Sequence, residues 1–248
     1  MNIRLNKALA QAGVCSRRQA DEFIRAGRVS VNGVAPDGLG LSVDPEKDEI
    51  RLDGRSIVLA QAKPQAYYLL HKPPGVVTTA KDPQGRTTVL TLMGQAAISH
   101  RLFPVGRLDY NSEGLIILTT DGELANRLMH PRWHLPKVYR VLVRGAVTAQ
   151  ALDTMRQGMT LSDGQKLAPL KVCVMQRLNG QENILEMELI QGLNRQIRRM
   201  CQDLGLVILK LKRIRQGPLA LGDLPPGRHR ALTQAEVKAL RAAVGLAG

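Results

Sequence analysis

Aromatic side chains make up only 3% of this 248-residue chain: two Phe, one Trp and four Tyr. Modules that read single-stranded RNA by base stacking need rows of such rings, so they do not fit this composition. Cysteine is also scarce. Cys15, Cys173 and Cys201 share no metal-ligand spacing and make no disulfide framework, which points to a reducing cytosol. No run approaches the roughly 18 apolar residues of a membrane span, and the start, MNIRLNKALAQAG, lacks the apolar stretch of a secretory signal. A soluble cytoplasmic protein without a membrane partner is expected. Phosphate-loop and GxGxxG dinucleotide signatures are both missing. His130 and His134 stand four apart, but Pro131 and Pro136 deny them the helix that would aim both at one metal. The expectation is no cofactor and no metal.

The chain has a surplus of positive charge, with Lys+Arg 35 against Asp+Glu 21 and a net charge of +14. At 44% hydrophobic it still has material for a core, so the charge signals a polyanionic partner, nucleic acid first, and not disorder. The charge is unevenly placed. Residues 1–30 hold six basic and two acidic side chains, residues 31–60 three and six, and residues 61–248 twenty-six and thirteen. The polar stretch AQAKPQ lies between a small polarised unit and a larger basic one. Domains are therefore expected at 1–60 and 66–248, with a linker at 61–65.

Local signals in the first unit are clear. Leu5, Ala8, Leu9 and Ala12 repeat at helical spacing and Gly13 stops them. Ser16 and Gln19 form a capping box ahead of Ala20, Phe23 and Ile24, up to Gly27. Val29 and Val31 precede Asn32-Gly33, and Ile50 and Leu52 precede Asp53-Gly54, each a hairpin signal. Arg17, Arg18, Arg25 and Arg28 fall on or beside the second helix, as a phosphate-binding face or an ordinary solvated one. RLNKALAQAGVCSRRQADEFIRAGRVSVNG resembles the S4-type RNA-binding domain over residues 2 to about 58, which implies structured RNA as partner.

The second unit reads as a mixed α+β domain. Strands are expected at Tyr67 to Leu70, Val76 to Thr79, Leu115 to Thr119, Val138 to Val143, around Leu185, Met187 and Leu189, and at Val207, Leu209 and Leu211. Helices are expected from Glu123, from Asn194 to Leu204 with Ile197, Met200, Cys201 and Leu204 inward, and after a Thr233–Glu236 capping box. Among the acidic residues Asp109 stands out, in a Gly-bounded polar loop two residues after Arg107 and just before an apolar strand. A carboxylate beside a guanidinium stays ionised and serves as nucleophile or base, although an isolated Arg-x-Asp is more often a structural ion pair.

Four ordered segments sharpen this reading. VGRLDYNSEGL resembles the catalytic motif of pseudouridine synthases, in the RsuA/RluB-type branch that carries an S4-type domain and modifies ribosomal RNA. LLHKPPGVVTT, PKVYRVLV and QGLNRQIRRMCQDLGL resemble that family's first, tyrosine and later basic motifs. Ser112 stands where Thr is common, and both supply a hydroxyl.

The resemblance implies an S4-like domain followed by a mixed-sheet catalytic domain, and cofactor-free conversion of a flipped uridine. It makes Asp109 the essential carboxylate, acting on base or sugar, Tyr139 the ring that stacks on uracil, and Arg198 the carboxylate's partner. Arg107 would fill the gap left by the flipped nucleotide, and Leu189 would line the pocket floor. Arg195 and Arg199 would contact phosphates or be simply solvated, and Lys72 would be a structural or RNA contact. The partner would be ribosomal RNA, 23S favoured over 16S, as a structured fragment or in a pre-ribosomal particle, with a monomer as the default. A non-catalytic ribosome-assembly protein keeping an enzyme-like domain is the alternative.

Overall fold

A computed structural model describes residues 2–58, 64–178 and 181–247. Its chain forms two compact units, Met1–Pro64 and Gln65–Gly248. Residues 61–63 of the expected linker lie outside the described residues.

The first unit runs β1 (Ile3–Arg4), α1 (Leu5–Gln11), α2 (Arg17–Arg25), β2 (Val29–Val31), β3 (Ser42–Val43), β4 (Ile50–Leu52) and β5 (Arg55–Ile57). Helix α2 starts where its capping box dictates: Ser16 Oγ accepts the Gln19 N–H and Gln19 Oε1 accepts the Ser16 N–H. Leu5, Ala8, Leu9, Ala20 and Ile24 close over Val29, Val43 and Ile50 to make the core. Asp53 (φ 50) and Gly54 (φ 76) turn β4 into β5. At Asn32 (φ 50) and Gly33 (φ 83) the chain makes a tight hairpin turn closed by a single antiparallel bridge, Val31 to Val34, and no second strand extends it. The partner of β2 is β4, and the Asn32 side chain instead holds Asp48 and the Glu49 N–H.

The second unit runs β6 (Tyr67–Lys72), α3 (Val89–Met93), α4 (Gln95–His100), β7 (Phe103–Val105), β8 (Glu113–Thr119), α5 (Gly122–Met129), β9 (Lys137–Arg144) and α6 (Ala149–Gln157). It continues through β10 (Lys171–Arg177), β11 (Glu182–Leu189), α7 (Gln196–Asp203), β12 (Val207–Gln216), β13 (Leu219–Ala220), β14 (His229–Ala231) and α8 (Gln234–Ala243). One mixed sheet carries the unit, in the order β10-β11-β9-β12-β8-β6-β14, with β7 on β8 and β13 on β12. Every residue of β8 is buried: its centre is the apolar run Leu115–Leu118, and the polar ends are partnered, Glu113 by Lys210 and Thr119 by the Ala66 carbonyl. Strands β8 and β12 are parallel and share only two register pairs, Lys212 with Glu113 and Arg213 with Gly114. Gly114 (φ +112) is needed there: a Cβ would lie 2.2 Å from the Arg213 carbonyl oxygen.

Three expectations are corrected. Val76 to Thr79 is no strand. Only Val77 bridges, to Thr88, and Val76 is buried as a loop residue. Helix α7 starts at Gln196, because Arg195 at its N-cap adopts a left-handed φ of 48°. In β12 a bulge makes Leu209 the extra residue between Ile208 and Lys210, so Val207 and Leu209 face solvent and only Leu211 of that apolar series is buried.

Candidate active site

Asp109 sits in the loop between β7 and β8, and its neighbours are fixed by polar contacts on both sides. Before it, the Thr78 hydroxyl donates to the Leu108 carbonyl at 2.9 Å and accepts the Leu108 N–H at 3.3 Å. After it, the Tyr110 carbonyl accepts the Gly75 N–H at 2.9 Å, and the Ser112 N–H returns to the Asp109 carbonyl at 3.0 Å. Lys72, at the end of β6, holds the same loop from below. Its ammonium donates to the carbonyls of Pro73 (2.9 Å), Tyr110 (3.2 Å) and Ser112 (2.7 Å). Lys72 is 0% exposed, and burial draws its pKa down to about 8 against the pull of Asp109 and Glu113. The structure therefore gives Lys72 a loop-fastening place; a direct RNA contact would need a surface that this side chain does not have.

Helix α7 supplies the other side of the site. Arg198 Nε lies 3.4 Å from Asp109 Oδ2, and its Nη2 donates to the Asn111 carbonyl (3.2 Å) and the Ser112 hydroxyl (2.9 Å). One planar guanidinium thus spans the carboxylate and the two residues that shape the loop's exit. Arg195 Nη1 approaches the same Oδ2 at 3.9 Å and is more exposed than Arg198. Asp109, Arg107 and Arg195 line one cleft of about 400 Å³ together with Lys81, Arg86 and Tyr110. Arg107 is exposed and makes no ion pair with Asp109 among the described residues. Its basic head stays available to the cleft, and the structural-ion-pair reading of Arg-x-Asp does not hold.

The other expected residues are placed differently. Tyr139 is partly buried against the core between β9, β11 and α7, and its hydroxyl makes no hydrogen bond among the described residues. It belongs to a row across the sheet, Met187–Tyr139–Arg213–Gly114–Lys72, but it does not line the cleft. Leu189, buried in that same core, does not line it either. Arg199, expected at a phosphate, is committed elsewhere. It pairs with Asp163 and donates to Gln165 Oε1 at 2.6 Å, tying the 161–166 turn to α7. In the first unit Arg17 and Arg18 are exposed on the first turn of α2. Arg17 reaches Asn6 at 3.4 Å, whereas Arg28 is held by Asp53 and lies over the Phe23 ring.

Sequence reasoning missed Thr78, Gly75 and Arg213. Thr78 and Gly75 lie inside the quoted LLHKPPGVVTT segment, so the signal was position in that motif. Arg213 is 2% exposed, with its Nε donating to the Leu115 carbonyl at 2.7 Å, and a lone Arg in a strand carries no hint of such burial.

Two family models match the chain: RNA pseudouridylate synthase over residues 66–203 and S4 domain over residues 3–35. An RNA pseudouridine synthase of Aquifex aeolicus is 45% identical over 99% of this chain and 96% of its own length. The ribosomal large subunit pseudouridine synthase B of Bacillus subtilis is 40% identical over 96% of each. A crystal structure of a pseudouridylate synthase superposes with a TM-score of 0.68 at 27% identity, covering 96% of this chain and 99% of that one. The chain is a pseudouridine synthase with an N-terminal S4 domain, and it belongs to the RNA pseudouridylate synthase family.

Proposed function

We propose that this enzyme converts one uridine of large-subunit (23S) ribosomal RNA to pseudouridine, using Asp109 as its essential carboxylate. The observation that carries the reading is the Asp109 carboxylate itself, held in a pinned loop at a cleft and faced by Arg198 at 3.4 Å. The reaction breaks the bond from uracil N1 to ribose C1′ and joins C1′ to C5. C5 loses its proton and N1 gains one, so no redox partner or group donor enters. Attack on either ribose or base needs a carboxylate of fixed direction, and the Arg198 guanidinium at this distance helps to hold that direction.

The target base must leave its stack to reach the carboxylate. The resemblance of PKVYRVLV to the family's tyrosine motif, and the sheet row that links Tyr139 to Lys72 under the Asp109 loop, support a site that extends beyond the cleft towards the sheet. There Tyr139 meets the uracil ring and its hydroxyl assists departure of the C5 proton, Leu189 forms the apolar wall behind it, and Arg107 occupies the space the nucleotide vacates. Arg195 in the second unit, and Arg17 and Arg18 on α2, hold phosphates of the surrounding RNA. Support for the RNA class comes from the S4 domain and from relatives whose names specify the ribosomal large subunit. The substrate is a structured rRNA or a pre-ribosomal particle, met by a monomer in the cytoplasm.

The test is tritium release from rRNA carrying 5-tritiated uridine. Asp109→Asn keeps the side chain's shape and removes its charge, so release falls to background while rRNA binding is retained. Release at the wild-type rate refutes the assignment of Asp109. Release from 16S and not from 23S rRNA refutes the choice of substrate.

A further inference from the structure

Seven aromatic side chains serve the whole chain, and six of them are accounted for by packing. Phe23 lies against the first unit's core, and Tyr67, Tyr68, Phe103, Trp133 and Tyr139 lie against the three cores of the second. Tyr110 is the exception. It is 47% exposed, belongs to none of these cores, and lines the cleft immediately after Asp109. Its hydroxyl makes no hydrogen bond among the described residues, so neither burial nor a polar contact explains the ring.

The backbone that carries this ring is nevertheless fixed. The Tyr110 carbonyl accepts from both the Gly75 N–H and the Lys72 ammonium. Gly75 (φ +76) stands beside the ring: a Cβ there would lie 3.9 Å from the Tyr110 hydroxyl, an ordinary contact, so it is the backbone φ that calls for glycine. The cleft around the ring is cationic. Arg86 is oriented by Asp82, whose carboxylate accepts from its Nε (3.1 Å), its Nη2 (2.7 Å) and its backbone N–H (2.9 Å). This leaves Nη1 of Arg86 without a partner among the described residues. Arg107 is likewise uncommitted. An exposed ring on a fixed backbone, in a cleft that also holds one oriented guanidinium, is complementary to a planar base joined to a phosphate.

We propose that Tyr110 is a stacking platform for a nucleotide adjacent to the isomerised uridine, with Arg86 at a phosphate of that nucleotide. The inference rests on the uridine-isomerising reading above and adds a second base subsite to it. Arg107 fills the gap left inside the helix; a neighbouring nucleotide drawn towards the cleft with the target loses its own stacking partner, and the Tyr110 ring replaces that partner beside Asp109. One platform needs one ring, which agrees with a chain so poor in aromatics.

The test compares Tyr110→Ala and Tyr110→Phe in the full chain, by tritium release from 5-tritiated rRNA. Base–aromatic stacking strengths translate into a loss of about 10-fold or more in kcat/KM for the alanine variant, carried mainly by KM. Tyr110→Phe retains the ring and stays near wild type. Irradiation of the wild-type complex with 5-iodouridine-substituted rRNA should attach RNA to the peptide that contains Tyr110. An alanine variant with unchanged kcat/KM overturns the proposal, as does one that loses kcat at constant KM. A phenylalanine variant as impaired as the alanine one also overturns it, because the hydroxyl and not the ring would then act. A wild-type chain inert on every rRNA overturns the functional reading, and this inference with it; an active wild type separates the two.

Discussion

Replacing Lys72 by Met tests how the Asp109 loop is held. The substitution keeps the length and apolar stem of the side chain and removes the ammonium that bonds the carbonyls of Pro73, Tyr110 and Ser112. Hydrogen bonds to a charged group contribute about 1.5–3 kcal/mol each, and the 3.2 Å contact to Tyr110 contributes least, so the gross loss is about 4–6 kcal/mol. Against this stands the cost of keeping the charge buried. The fall from 10.5 to about 8 corresponds to roughly 3 kcal/mol. The net expectation is a destabilisation of about 1–3 kcal/mol near neutral pH, read as a lower urea midpoint at unchanged m.

The pH dependence gives an independent readout. The unfolded chain binds the Lys72 proton more tightly than the folded one, so wild-type stability rises relative to Lys72→Met as pH climbs from about 8 towards 10.5, by up to roughly 3 kcal/mol. Turnover moves the other way. A neutral amine has one donor fewer for three carbonyls, so wild-type kcat declines above about pH 8 as the loop loosens. An unchanged urea midpoint for the variant, together with a stability difference that is flat from pH 7 to 10.5, would refute this account of Lys72.

Two further substitutions address the frame of the site. Gly114→Ala puts a Cβ 2.2 Å from the Arg213 carbonyl oxygen, so strands β8 and β12 must part; a loss of about 2–4 kcal/mol in urea unfolding is expected, and a wild-type midpoint would show that the close approach is not required. Arg198→Lys replaces a planar fork by a point charge that cannot reach Asp109, Asn111 and Ser112 together. The expected fall in kcat is about tenfold, equivalent to one charge-assisted hydrogen bond, with KM nearly constant; a change in KM alone would place Arg198 in RNA binding.

Local chemistry was readable where a few adjacent residues decide the structure. Ser16 and Gln19, Asp53-Gly54, and Thr233 with Glu236 each satisfy backbone groups within one turn, and each forms as its sequence requires. The apolar alternation of Val207, Leu209 and Leu211 misled because a bulge is a property of two paired strands, and the sequence of one strand does not contain its partner's register. For Lys72 the sequence left a structural and an RNA contact open and could not choose between them. Lysine composition signals a surface, and only long-range contacts with residues about 40 positions away bury it. Within the site, the chemistry-bearing residues Asp109 and Arg198 were visible through their motifs and meet in space. Arg199 lies on the same helix one residue on, and its basic side chain gives no warning that Asp163 claims it.

The two-pair contact between β8 and β12 divides the nine-stranded sheet into halves with largely separate cores. Asp109 is delivered by the segment that enters β8, and Arg198 by the helix that leads into β12, so the two charges belong to opposite banks of that divide. Their pairing therefore behaves as a gauge of how closely the banks stand. A change in the spacing of the banks would alter the carboxylate's electrostatic surroundings without anything touching it, so two register pairs of one sheet set the distance between the site's opposite charges.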